Sequence, residues 1–217
     1  MALIPSNLVL ESGLHVDDIP TSYLDIDIFD ETGGNAQIHN VYDDVTVVLY
    51  KPNGEASAAT LTGTIQNNHN VHAAFTWEES PFDGPGIWSL RLTFTADDGT
   101  VAQAEPLRFV VELVDGWLTL EQTRQRWPDA PLDLTYLYSI LRSAKIQCID
   151  YAPMLNVEDP IPANYVQAQL MQARGIYTSF IANQNDNIDG QFPVRVFPMD
   201  WNIKALLRPK SGKPRVG

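Results

Sequence analysis

Tyr23-Leu24-Asp25-Ile26-Asp27-Ile28-Phe29 decides the fold of the first half of this chain. Successive side chains of an extended backbone point to opposite faces, so Leu24, Ile26 and Ile28 share one face and Asp25 and Asp27 the other. A greasy face and a charged face at period two describe a strand in a sheet with one side buried.

The alternation continues downstream. Val45-Thr46-Val47-Val48-Leu49-Tyr50 is closed by Lys51-Pro52-Asn53-Gly54, a turn sequence. Residues 60–65, 71–77 and 87–94 read as three further strands, Asp97-Asp98-Gly99 as a hairpin connection, and residues 107–114 as a closing strand. With residues 8–10 this makes about seven short strands separated by turn signals, which predicts an immunoglobulin-like antiparallel β-sandwich. The chain has one cysteine, Cys148, so no disulfide can pin the sheets; the core is expected from Phe75, Trp77, Trp88, Phe94 and Phe109.

The texture changes at Asp115-Gly116. Thr119-Leu120-Glu121-Gln122 is a capping box and opens a short helix, which must stop near Trp127 because Pro128 and Pro131 oppose it. Asp133 caps a second helix running to about Ile149, with Leu134, Leu137, Leu141, Ala144 and Cys148 in one buried stripe. On that stripe Cys148 reads as a packed small hydrophobe rather than a reactive thiol. After Pro153 and Asp159-Pro160-Ile161-Pro162, a third helix is predicted from about Ala163 to near Ala182. Val166, Leu170, Ala173, Tyr177 and Phe180 are expected to face inward, and Gln167, Gln172 and Arg174 outward; the two long helices form a hairpin. Residues 183–190 are loop-like and Val194-Arg195-Val196-Phe197 is extended. Asp200 caps a last short helix, Trp201 to Leu207, which Pro209 ends.

Charge divides the chain the same way. Residues 1–115 carry three basic residues against eighteen acidic ones, and residues 116–217 eleven basic against nine acidic. After Asp200 there is no acid, while Lys204, Arg208, Lys210, Lys213 and Arg215 supply positive charge. So polarised a chain is expected to hold modules facing different surroundings. The acids of the first module either repel nucleic acid or simply cover a solvated sheet face. The reading is an α+β multidomain protein: an acidic sandwich over 1–115, a helical domain over 116–200, and a basic docking helix and tail over 201–217.

Enzyme motifs do not emerge. There is no Gly-x-Ser-x-Gly, P-loop or zinc-protease helix, so neither catalysis nor a cofactor is expected. His69 and His72 lack a third ligand at metal spacing, and Asn185-Asp186-Asn187-Ile188-Asp189-Gly190 fails as an EF-hand because Val196 stands where Glu is needed. Asp17-Asp18, Asp43-Asp44 and Asp97-Asp98 suit turns and strand ends, with a calcium site on a sandwich loop as the alternative. The first residues do not read as a secretory signal, and no window is long and apolar enough for a membrane span; with one cysteine, folding in a reducing cytosol is expected.

Two resemblances add to this. The acidic first strand, the strand ending in Lys51-Pro52-Asn53-Gly54, the run Gly86-Ile87-Trp88-Ser89-Leu90-Arg91-Leu92-Thr93-Phe94 and the Asp-Gly hairpin resemble small β-sandwich domains of phage virion proteins, baseplate upper proteins included. The capped short helix, the helix pair and the ending Phe197-Pro198-Met199-Asp200-Trp201-Asn202-Ile203-Lys204-Ala205-Leu206-Leu207-Arg208-Pro209-Lys210 resemble head-to-tail connector (adaptor) proteins of tailed phages, those of actinobacteria above all. That second resemblance covers 116–217. It implies a virion neck protein, assembled in the bacterial host cytoplasm, whose helical domain forms a homo-oligomeric ring, commonly of twelve copies. Its partners would be the portal protein, a downstream stopper or tail-terminator protein, and, in passing, genomic DNA in the channel, with no membrane. Docking would fall to the alternating greasy and cationic ending: Phe197, Met199, Trp201, Ile203, Lys204, Leu206, Leu207, Arg208, Lys210, Lys213 and Arg215, a stretch expected to order on assembly. A large acidic sandwich departs from the minimal adaptor and is placed on the outer rim. The rival readings are a virion surface module that binds glycans or host, and a capsid decoration or minor head protein.

Overall fold

The computed structural model describes residues 2–6, 14–16, 18, 23–58, 61–67, 69–75, 80–155, 159–185 and 199–208. The chain is α+β, with mainly antiparallel sheets and, among the described residues, four α-helices. It divides into two compact units, Met1–Val114 and Asp115–Gly217.

Among the described residues, the first unit contains nine strands: β1 (Leu3–Ser6), β2 (Leu14–His15), β3 (Tyr23–Asp30), β4 (Asp44–Tyr50), β5 (Leu61–Ile65), β6 (Asn70–Phe75), β7 (Gly86–Thr95), β8 (Val101–Gln103) and β9 (Leu107–Glu112). One sheet runs β1-β3-β6-β5; the other runs β2-β9-β7-β4, with β8 also paired to β7. Pairings are antiparallel except the two-residue β2–β9 ladder. The two sheets share one apolar core, an arrangement consistent with a β-sandwich.

The deciding stretch behaves as its alternation requires. Leu24, Ile26 and Ile28 are buried, while Asp25 and Asp27 stand on the wet face, opposite His72 and Asn70 of β6. There the His72 Nδ1 lies 2.9 Å from Asp25 Oδ1, and Asn70 Nδ2 donates to Asp27 Oδ1 at 3.2 Å. Of the expected core aromatics, Trp88, Phe94 and Phe109 are buried. Trp77 and the Phe75 side chain fall outside the described residues.

Phe82, not foreseen, packs edge-on against Trp88 and Phe109 at 5.3 and 5.9 Å between ring centres. Strands β1, β2 and β8 were also not foreseen, being too short to show periodicity, and the expected strand at 8–10 lies outside the described residues.

The acid pairs that are described serve turns. Asp43 Oδ2 accepts from the Asp97 N–H at 2.7 Å, and Asp98 Oδ1 from the Thr100 N–H at 2.8 Å. Gly99, at φ +81°, takes the left-handed position of that hairpin.

The second unit holds α1 (Leu120–Arg126), α2 (Leu134–Tyr151), α3 (Ala163–Asn185) and α4 (Trp201–Leu207). Their starts follow the caps. Thr119 Oγ1 accepts from Gln122 N–H, Asp133 Oδ1 from Thr135 and Tyr136 N–H, and Asp200 Oδ1 from Asn202 N–H. On α2 the stripe Leu137, Leu141, Ala144 and Cys148 is buried as expected, joined by Ile140, with Leu134 only half-buried.

The facing of α3 needs correction. Among its positions whose burial is described, those buried are Tyr165, Ala168, Gln169, Leu170, Gln172 and Ala173, so the inward face is centred on a stripe at i, i+3, i+4, i+7 and i+8 that includes two glutamines. Gln172, expected outside, is buried, and Phe180, expected inside, is 49% exposed. Polar side chains hid the stripe from an apolar count. Each is buried because it is hydrogen-bonded: Gln169 Oε1 accepts from the Leu118 N–H at 2.9 Å, its Nε2 donates to the Leu141 carbonyl at 3.2 Å, and Gln172 Nε2 donates to Gln147 Oε1 at 2.5 Å.

Candidate partner-docking surface

The predicted docking ending divides sharply once folded. Phe197, Lys210, Lys213 and Arg215 lie outside the described residues. The rest belong to α4 and its flanks, and α4 is not a segment apart: it packs within the second unit, against α3 and α2. Ile203 and Leu207, one helical turn apart, are 4% and 1% exposed in a core with Trp117, Cys148, Tyr165 and Ala168. Met199 and Leu206 are partly buried against the same core.

Polar ties reinforce this seat. Asn164 Nδ2 donates to the Leu206 carbonyl at 2.5 Å. Arg208 Nε donates to the Tyr151 carbonyl at 2.7 Å while its guanidinium lies 4.8 Å over the Tyr151 ring, and Lys204 Nζ sits 5.8 Å from the same ring. The expectation that this stretch orders only on assembly is therefore corrected for 199–208. A helix with two core side chains and three such ties is held by its own chain.

What α4 offers outward is Trp201, 66% exposed, on one face with the exposed Ala205 and Arg208 at helical spacing. The docking set thus separates into Trp201, Lys204 and Arg208, which face or border solvent, and Ile203 and Leu207, which do not.

Further apolar surface on this unit escaped sequence reading. On α2, Ile146 and Ile149 are half exposed and point away from the stripe of Leu141, Ala144 and Cys148; Met154, just beyond the helix, is 99% exposed. The available signal was their spacing, two isoleucines three apart and out of phase with the stripe. Leu132 is 86% exposed, and a second patch is formed by Phe180 and Ile181, at 49% and 38%. It is backed by aromatic contacts: Tyr136 lies 5.7 Å from Phe180 and 6.3 Å from Tyr177, and Tyr177 lies 5.5 Å from Trp127. Burial, with Tyr177 nearby, pushes the Tyr136 hydroxyl above its ordinary range. The two patches mark opposite ends of α2, since Tyr136 and Ile149 are thirteen residues apart and a helix rises about 1.5 Å per residue.

Cys148 sits in the α4 seat, fully buried, and burial raises its thiol to about 11, which keeps it protonated at neutral pH. Among the described residues no group of three or more His, Cys, Asp or Glu could hold a metal ion, and no helix is long and apolar enough to cross a membrane.

No protein-family model and no curated protein matches the chain. Solved structures with partial likeness include CopC from Methylosinus trichosporium OB3b, at 12% identity over 54% of this chain and 98% of that one, with a TM-score of 0.32. The Lin-41 filamin domain is 13% identical over 51% of this chain and 91% of its own, with a TM-score of 0.29. A DUF4785 family protein from Legionella pneumophila is 15% identical over 51% of this chain and 28% of its own, with a TM-score of 0.28. At those scores none of them carries an argument about what this chain does.

Proposed function

We propose that this chain is a structural virion protein of a tailed phage, a head-to-tail connector whose helical unit assembles into a ring between the portal and the next neck protein. In this reading it is not an enzyme. The sheet unit is an immunoglobulin-like domain on the outer rim, and its acids keep it off the DNA that passes through the channel.

The observation that carries the proposal is Trp201. A two-thirds exposed tryptophan, fixed on a helix that its own core anchors and flanked by Lys204 and Arg208, is a preorganised anchor for a partner's groove. The two apolar patches of the helical unit add support. A closed ring is built from heterologous contacts, which require two different patches on each copy, and Ile146/Ile149/Met154 and Phe180/Ile181 are candidates for them.

A glycan-binding module would instead present aromatic rings on a sheet face. Among the aromatics of the first unit whose burial is described, Phe82, Trp88, Phe94 and Phe109 are buried and Phe29, Tyr42 and Tyr50 half-buried, so nothing there favours it.

The decisive variant is Trp201→Ala. It spares the α4 core residues, whereas deletion of the whole ending would also remove Ile203 and Leu207. The variant is expected to fold normally and still form rings, measured by size exclusion with light scattering, but to lose joining of filled heads to tails. Full joining activity with the alanine in place would make the docking assignment wrong.

A further inference from the structure

The sheet unit has few cations to place among its many acids: Lys51, Arg91 and Arg108. Lys51 pairs with Asp83, but the two arginines share one surface. Arg108 of β9 stands opposite Ser89 of β7, and Arg91 follows two residues along β7. Both therefore rise from the outward face of that sheet, and both are exposed. Such a diagonal pair is about 7 Å apart at Cβ. The Arg91 guanidinium is held 4.4 Å over the Tyr50 ring, which leaves its N–H fork available at the edge.

Among the described residues neither arginine forms an ion pair. The acids on the described strands of this face are Asp44 of β4, opposite Thr95, and Glu112 of β9. Each lies four residues along from an arginine's rung, about 13 Å away. Two neighbouring like charges repel, so the pair is completed by a carboxylate from outside its own sheet.

The outward face of the other sheet carries the matching pattern. Asp25 and Asp27 are exposed and two residues apart on β3, a separation of about 7 Å. Each is already bonded across its sheet, to His72 and Asn70, and a carboxylate has about four acceptor sites to share.

We propose that the sheet unit binds a second copy of this chain, with the Arg91/Arg108 face of one copy against the Asp25/Asp27 face of the next. Sign and spacing both fit. The contact is heterologous, so it passes from copy to copy, and it is exposed, so salt governs it. A nucleic acid also offers anions to arginine, but the acids around these two cations repel a polyanion. The contact uses no residue of the helical unit and stands whether or not the chain is a connector.

A zero-length cross-link reads it. Arg108→Lys keeps the charge and supplies an amine, which a carbodiimide can join to a carboxylate in contact. The two faces of one copy are separated by both sheets, whose backbones alone lie about 10 Å apart, so a link from Lys at 108 to Asp25 or Asp27 must join two copies. In the full-length chain, mixed as light and heavy-isotope forms at low salt, mass spectrometry is expected to find that link between forms. About 0.5 M NaCl should reduce its yield about tenfold. Sedimentation gives an independent reading. Arg91→Glu/Arg108→Glu and Asp25→Lys/Asp27→Lys should each weaken low-salt association about tenfold when alone, and restore it when mixed, because opposite faces then meet again. Recovery on mixing cannot come from misfolded chains. Absence of the cross-link, or a yield that salt leaves unchanged, would overturn the proposal. So would retardation of a DNA duplex that Arg91→Glu/Arg108→Glu abolishes, which would assign the arginine face to nucleic acid.

Discussion

At the scale of single residues, Gln169 and Cys148 show burial acting in opposite ways on polar groups. The Gln169 amide is 1% exposed and joins three pieces of chain, taking the Leu118 N–H and giving to the Leu141 carbonyl. The carbonyl lies within α2 and has a helical donor as well, so Gln169→Leu chiefly orphans the Leu118 N–H, at a cost of about 1–3 kcal/mol. Thermal unfolding of the leucine variant should show a drop of several degrees in Tm; an unchanged melt would remove the amide from the account of the helical core. Cys148 has no need of a partner, because the thiol stays neutral. Its value in the fold is about 11, above the ordinary 9.0. A raised value means that the stability it contributes is full below pH 9 and is lost as pH climbs through 11. At pH 8 the native chain should therefore resist iodoacetamide, with alkylation only once denaturant unfolds the helices, as mass spectrometry would record.

At the scale of elements, glycines test how closely the strands and helices meet. Gly63 of β5 faces β4 so closely that an added Cβ would lie 2.7 Å from Val47 Cγ2 and 2.8 Å from the Val45 carbonyl oxygen. The carbonyl is main chain and cannot swing aside, so Gly63→Ala must separate the two strands, at a cost of about 1–3 kcal/mol. Gly175, inside α3, would meet nothing within 4 Å, and Gly175→Ala should stabilise by about 0.5–1 kcal/mol through lower unfolded-chain entropy and better helix propensity. Denaturant midpoints measured side by side check both signs. Helix α4 makes the complementary point: seven residues are too few to hold a helix in water, so its order comes from Ile203 and Leu207 in the shared core.

At the scale of the whole molecule, the sheet core and the α4 seat draw on separate residues, the first from Leu3 to Val111 and the second from Trp117 to Leu207. Calorimetry should therefore resolve two unfolding transitions rather than one. Ile203→Ala, which opens a cavity under α4 at about 2–5 kcal/mol, should lower one transition and leave the other in place. A single transition that shifts as a whole would show that the units unfold together.

Alternation at Leu24, Ile26 and Ile28, the turns at Gly54 and Gly99, and the caps at Thr119, Asp133 and Asp200 determined from sequence alone where most strands and helices lie. These are local effects, in which a few neighbouring residues set backbone geometry and which face is greasy. The inward turn of Gln169 and Gln172, the exposure of Phe180, and the division of the docking stretch into a buried Ile203 and an open Trp201 were decided only by tertiary structure. Each depends on a partner distant in sequence: the Leu118 N–H for Gln169, the core around Cys148 for Ile203. The alternating greasy and cationic ending led to the expectation of a contact surface, but that Ile203 and Leu207 meet their own helices was set by what α2 and α3 left uncovered.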